Sequence, residues 1–354
     1  MEKTPDREDA VPLLLTNDAT LEAEVRRLAA AAGVGVERQG DAQTVGHAWS
    51  RAPLVLVGAD VAPTLATVHP MRRRDVHVVA TGTATETIFR DALAVGAESV
   101  TELPDGDSWL VALLTDTGDL SADPAVVIGV IGASGGSGAS TLASATAAEV
   151  ARTRACLLID ADPIGGGVER ITGLDERPGV RWSGIEATGR LGGRALRESL
   201  PTSGGLAVLA FEPGLARLPL PEVVRETVSA ARRGFDAVVI DLGRHPDPAI
   251  DAAMVECDHV FVVTTLTLGA VSAASRLRPR LPVGASAIVA RGAERGIDAG
   301  TVATMLGLPL AVVMHDQSGL DEAVVLGMGP AQRRRGPLVR GVRSLLMGIP
   351  GAWS

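Results

Sequence analysis

The sequence predicts two consecutive α/β domains, each built on a mainly parallel sheet. Three observations carry this reading. Strand-like apolar runs alternate with helix-periodic segments throughout the chain. In the second half several runs are almost continuously apolar, as strands covered by helices on both faces are. A polar stretch with Gly and Pro, TDTGDLSADPA at 115–125, separates the halves as a linker. A length of 354 residues suits two domains, and the boundary is placed between 1–120 and 121–354.

In the first half, strand-like runs lie at 11–18, 52–60, 75–83 and 98–104. Helical spacing ending at a glycine covers 20–33, and a second helical pattern covers 86–97. The arrangement is of the five-strand α/β kind. In the second half, strands are expected at 125–133, 155–162, 206–211, 235–242, 259–265, 285–291 and 310–315. The halves share a fold class but no sequence repeat.

Composition narrows the function classes. Hydrophobic residues make up 46% and charged residues 21%, a globular balance. Aromatics are 2% and Tyr is absent, so the cores must be built from Ala, Val and Leu. That scarcity, with a net charge of −9, argues against nucleic acid as a partner. Cys156 and Cys257 sit in strand-like apolar runs without metal-ligand spacing, which reads as reduced thiols in a cytoplasmic protein. The charged N-terminus is no signal peptide, and no apolar run has the length of a membrane span.

The stretch GASGGSGAST at 132–141 carries the chemistry. Gly135, Gly136 and Gly138 let backbone N–H groups approach an anion, and a helix beginning near Ser140 offers its positive end. A Gly/Ser turn without a ligand is the alternative. The context favours a site: Asp160 and Asp162 end one strand and Asp241 ends another. In an open parallel sheet these ends meet the first strand-to-helix loop at one edge. Loop and carboxylates can then converge as a magnesium–nucleotide site requires. Capping of helices or turns is the other role open to Asp160 and Asp241.

The order GASGGSGAST, LLIDADPIGGG, FDAVVIDLG resembles the MinD/ParA family of deviant Walker P-loop ATPases over about residues 124–330. The resemblance implies ATP or ADP with Mg²⁺ as cofactor. Gly135, Gly136, Ser137, Gly138, Ala139, Ser140 and Thr141 would form the nucleotide loop. Ser140, Asp160 and Asp241 would organise the metal, and Asp162 would position water. Two departures stand out: Ser134 replaces the signature lysine and Ala139 replaces the Walker lysine. A charge-assisted hydrogen bond is worth roughly 1.5–3 kcal/mol. Losing the lysine at 139 therefore weakens binding by roughly 10–150-fold. Hydrolysis suffers more, because cations act on transition-state charge. No Arg or Lys within the loop substitutes. On the adenine side the family's Val-Asn-Arg reads Val289, Ala290, Arg291. Weak or absent ATP hydrolysis is expected.

The first half resembles a response-regulator receiver domain in degenerate form. Its acidic site is partial, at Asn17 and Asp18. Gly58 stands at the phosphoacceptor position, Asp60 lies two residues late, and Glu102, Leu103 and Pro104 bring no lysine. Thr81 could match the switch hydroxyl. Such a receiver fused to a MinD/ParA-like domain resembles the CpaE/TadZ group, which positions pilus or secretion machinery. The stretch 171–209, with Trp182 and an Arg/Gly-rich helix ending in Leu-Pro, resembles the septum site-determining (Ssd) family within that group. The resemblance implies a spatial regulator of septum placement that acts through contacts with cell-division proteins, as a possible homodimer at the septum or pole. A polar scaffold for pili or secretion, and a slow ATPase with a monomer–dimer switch, are the other readings.

At 333–347, Arg333, Arg334, Arg335, Arg340 and Arg343 accompany an apolar face of Leu338, Val342, Leu345 and Leu346. Such a helix suits either packing on the sheet or peripheral membrane contact. The six histidines show no metal spacing. His245 follows the Asp241 strand and falls near the site or caps a loop, and His315 and Asp316 follow another strand end.

Overall fold

The computed structural model describes residues 11–40, 45–68, 70–73, 75–118, 125–185, 191–212, 214, 217–292, 296–330 and 335–349. The chain divides into two compact units, Met1–Asp123 and Pro124–Ser354.

The first unit runs β1 (Leu13–Leu15), α1 (Ala19–Ala31), β2 (Glu37–Gln39), α2 (Gly46–Arg51), β3 (Val55–Gly58), α3 (Ala62–Val68), β4 (Val76–Thr81), α4 (Glu86–Val95), β5 (Ser99–Leu103) and α5 (Asp107–Gly118). Its five strands pair in parallel in the order β2-β1-β3-β4-β5. The strand without an apolar signal is β2. It reads Glu-Arg-Gln and lies at the sheet edge, where one neighbour suffices and polar side chains stay wet. Successive side chains of a strand point to opposite faces. Leu13 and Leu15 therefore join Val55, Val57, Val76 and Val78 in one core, while Leu14, Leu56 and Val79 join Leu110, Leu113 and Leu114 in the other. The linker reading is corrected at its start: 115–118 continue α5, and Thr115 and Thr117 hydroxyls donate back to Val111, Leu113 and Leu114 carbonyls.

The second unit runs β6 (Val126–Gly132), α6 (Ala139–Val150), β7 (Cys156–Ala161), α7 (Val168–Thr172), α8 (Gly193–Ser199), β8 (Thr202–Ser203), β9 (Leu206–Leu209), α9 (Pro221–Gly234), β10 (Ala237–Leu242), α10 (Pro248–Val255), β11 (His259–Thr265), α11 (Leu268–Leu277), β12 (Ser286–Arg291), α12 (Ala299–Leu306), β13 (Leu310–Met314), α13 (Leu320–Val325) and α14 (Pro337–Met347). The sheet order is β13-β12-β11-β6-β10-β7-β9-β8, with only the β8–β9 pair antiparallel. Separate cores line its two faces. The helix α6 is buried along nearly its whole length and carries only small or aliphatic side chains at its buried positions, from Leu142 to Val150.

The C-terminal helix packs onto its own unit. Leu338, Val342, Leu345 and Leu346 are buried in the same core as α6 and Met314. Gly341 allows the close approach, since a Cβ there would meet Met314 Cγ at 3.0 Å. Arg343 pairs with Glu149 of α6 at 2.6 Å. The apolar face of α14 is thus covered within the unit, which is the packing role that its sequence allowed. Arg333, Arg334 and Trp353 lie outside the described residues. Among the described residues no helix is long and apolar enough to cross a membrane.

Candidate functional site

The large sheet brings the sequence-predicted groups to one edge. In parallel register, Asp241 of β10 stands beside Asp160 of β7 and Val130 of β6. Neighbouring strands lie about 4.8 Å apart, so the two carboxylates flank each other just below the loop that leaves β6. That loop turns through Gly136 (φ 73°) and Gly138 (φ 91°), both in the left-handed region that favours glycine. Gly138 then caps α6, whose first turn holds Ala139, Ser140 and Thr141. Gly135 and Gly136 are exposed, Ser137 is buried, and Ser140 and Thr141 are half-buried.

Among the described residues the carboxylates have no positive partner. Asp160 accepts backbone N–H bonds from Asp162 (3.0 Å) and Val168 (3.2 Å). Trp182 Nε1 donates to the Asp160 carbonyl at 2.7 Å and so anchors the end of β7. Burial raises the Asp160 pKa to about 6 against those backbone bonds, with Asp162 and Glu169 adding to the rise. Asp241, 3% exposed, is pushed well above the usual carboxylate range. Burial is the main cause and the Asp160 charge the second, while a hydrogen bond from Ser140 opposes them. Two desolvated carboxylates and a hydroxyl form a hard-oxygen set that suits Mg²⁺. Asp162 is half-buried. It accepts from the Ile164 N–H at 3.3 Å and lies 4.0 Å from His245 Nδ1, so His245 does fall beside this edge.

Two arginines reach the loop from elsewhere, and the sequence reading missed their place. Arg291, at the end of β12, donates from Nη1 to the carbonyls of Gly136 (3.4 Å) and Ser137 (3.2 Å) and pairs through Nε with Asp316 at 3.1 Å. A Cβ on Gly138 would fall 2.6 Å from Arg291 Nη1, so side-chain-free backbone is needed there twice over. Arg244 follows β10, and its guanidinium lies 3.5 Å from where a Cβ of Gly135 would stand. The only available signal was the tripeptide Leu-Gly-Arg after Asp241, which does not say where Arg244 points.

The receiver-like edge is built differently. Asp60 turns back so that a Cβ on Gly58 would meet its Oδ1 at 2.2 Å. The carboxylate therefore fills the space that a side chain at 58 would need. It accepts from the Thr16 hydroxyl (2.8 Å) and the Asn17 N–H (2.7 Å). Asp18 caps α1, accepting from the N–H groups of Thr20 and Leu21. Leu103, before Pro104, is buried in the core, and Glu102 accepts from the Ala84 N–H at 2.8 Å. Asp60 is a structural acceptor here, tied to Thr16 and Asn17.

Fold and site together define a MinD/ParA-like α/β domain preceded by a CheY-like domain. Residues 15–125 match the family model described as Rv3660c-like, CheY-like N-terminal domain. Two relatives from Mycobacterium tuberculosis, the uncharacterized proteins Rv3660c and MT3760, are each 33% identical over 346 residues, covering 96% of this chain and 98% of theirs. The chain belongs to the Rv3660c-like family. Among solved structures, a ParA family ATPase from Chlorobium tepidum is similar at a TM-score of 0.56 and 19% identity, over 63% of this chain and 98% of its own. The septum site-determining protein MinD of Pyrococcus horikoshii, complexed with Mg-ADP, gives 0.52 and 14%, over 64% and 96%. MinD in the MinC:MinD complex of Aquifex aeolicus gives 0.53 and 18%, over 64% and 97%.

Proposed function

We propose that this protein is a spatial regulator of septum placement, of the Ssd kind, that works through protein contacts and binds a magnesium nucleotide weakly without rapid turnover. One observation carries the reading. The glycine loop keeps Gly135, Gly136, Gly138, Ser140 and the paired Asp160 and Asp241 in a MinD/ParA-like fold, while Ser134 and Ala139 stand where the two lysines would be. In this reading the loop N–H groups take the phosphates and Ser140, Asp160 and Asp241 hold Mg²⁺, which would neutralise phosphate charge. Asp162 orients a water near His245. Cell-division proteins are the partners, by analogy with the MinD of the MinC:MinD complex, and a homodimer is the assembly this reading expects.

The test combines binding with phenotype. Calorimetry of the full chain with ATP and ADP should give saturable, Mg²⁺-dependent binding at up to millimolar nucleotide, with phosphate release at or near background. Excess protein in cells should lengthen the distance between septa. Normal septa under excess and depletion alike, with pili or secretion lost, would replace this reading by a polar scaffold of the CpaE/TadZ kind. The CheY-like unit favours that second reading, because the similar MinD chains match only about two thirds of this one. Brisk phosphate release would point instead to an ATPase switch.

A further inference from the structure

The loop lacks both lysines, and the rest of the sequence has none to lend: Lys3 is the single lysine of the chain, so every other permanent cation is an arginine. Two arginines stand at the loop, and their states differ. Arg291 is committed, with its guanidinium divided between Asp316 and the loop carbonyls of Gly136 and Ser137. Its loop contacts are to carbonyls and not to the N–H groups that would meet an anion, so Arg291 fastens the loop to β12. Arg244 is uncommitted. It is exposed, and its guanidinium has no hydrogen-bond or ion-pair partner among the described residues. Its backbone is nonetheless well placed. The Arg244 carbonyl accepts from Arg280 Nη1 at 2.7 Å, and Arg280 is itself held by Asp251 at 2.7 Å. The guanidinium Nη2 lies 3.5 Å from the Cβ position of Gly135, over the exposed crest of the loop.

We propose that Arg244 is the surrogate cation of this site: it closes over the glycine loop and binds the outer phosphate of a nucleoside di- or triphosphate, the task the absent lysines leave open. This rests on the nucleotide reading given above. The chemistry suits the residue. A guanidinium presents a planar fork that meets two phosphate oxygens at once, whereas a lysine is a point charge. Delivery also differs. The Walker position is part of the loop, at Ala139, while Arg244 comes from the segment after the Asp241 strand. Binding of the outer phosphate would therefore tie β10's loop to β6's loop, so the occupancy of the site would be felt by the segment between Gly243 and α10.

The experiment is calorimetry of the full chain with Mg-ADP and with AMP, on wild type, Arg244→Ala, Arg244→Lys and the double variant Arg244→Ala/Ala139→Lys. Arg244 is exposed and unpaired, so its removal should leave the melting temperature unchanged. Arg244→Ala should weaken ADP about 10- to 100-fold and leave AMP, which lacks the outer phosphate, within about twofold. Arg244→Lys should fall between, and Ala139→Lys should restore ADP to the truncated protein. ADP binding unchanged in Arg244→Ala overturns the assignment and leaves the nucleotide reading standing. Equal losses for ADP and AMP also overturn it, since Arg244 would then shape the loop and not meet the outer phosphate. A wild-type chain that binds neither nucleotide at millimolar concentration overturns both.

Discussion

The edges of the two sheets treat their carboxylates in opposite ways. In the CheY-like unit Asp60 lies over Gly58 and gives its carboxylate to Thr16 and Asn17. In the second unit, no cationic side chain among the described residues neutralises Asp160 and Asp241. Burial raises the pKa of both, and the Asp160 charge adds to the rise at Asp241. The first edge is sealed by hydrogen bonds and should be indifferent to ligands. The second holds unfavourable charge that a cation would relieve. What a carboxylate at a sheet edge can still bind depends on whether neighbouring groups have already satisfied it.

The strongest way to break the contrast is at Trp182, which is 2% exposed and donates to the Asp160 carbonyl. Trp182→Ala should destabilise the second unit by about 3–5 kcal/mol and abolish any nucleotide binding. Thermal unfolding with a probe in each unit checks this, and the first unit should be unaffected. Trp182→Phe keeps most of the volume and should cost about 1–2 kcal/mol through the unpaired carbonyl.

Acid should act on the second edge with a definite sign. The Asp160 pKa is raised in the folded state, to about 6, above its unfolded value. Its protonation then favours the native state. That stabilisation is fully present below about pH 4, where the unfolded carboxyl is also protonated, and is lost as the pH rises through about 6. In EDTA, the stability difference between Asp160→Asn and wild type should change by roughly 2–3 kcal/mol in the variant's favour between pH 4 and pH 7.5. Melting curves across that range decide it, and a flat difference would mean that the carboxyl is solvated.

Removing a carboxylate should have opposite signs at the two edges. Asp241→Asn replaces a carboxyl whose charged form burial disfavours and should stabilise metal-free protein, while eliminating Mg²⁺-dependent binding. Asp60→Ala removes two satisfied hydrogen bonds and should destabilise by about 1–2 kcal/mol without touching nucleotide binding. Denaturant titrations of the pair suffice, and equal signs would dissolve the contrast. The smallest effect concerns Cys156 and Cys257, both buried, with burial pushing their thiols well up. Native protein should show no reactive thiol with a disulfide reagent, and unfolded protein two.

Much of this was legible from sequence because it depends on local period and composition. Continuous apolar runs such as Val126–Gly132 and Ala237–Leu242 announce strands covered on both faces. Glycines before a small-residue helix announce a tight loop into a helix, and aspartates at strand ends announce an edge. The apolar stripe of α14 was equally plain. Sequence did not say what covers that stripe, because α6 and β13 reach it only in three dimensions. It also left out β2, whose Glu-Arg-Gln becomes a strand by pairing with β1.

By itself, then, the sequence determined the two α/β units, the loop and its carboxylates, since each is written in residues adjacent or periodic along the chain. Only the tertiary structure decided which groups serve them. Arg291 meets Ser137 across 154 residues, Asp60 meets Thr16 across 44, and Arg244 reaches Gly135 from another strand. Strand order and register set those meetings, and they arise from packing of the whole sheet, which no local pattern encodes.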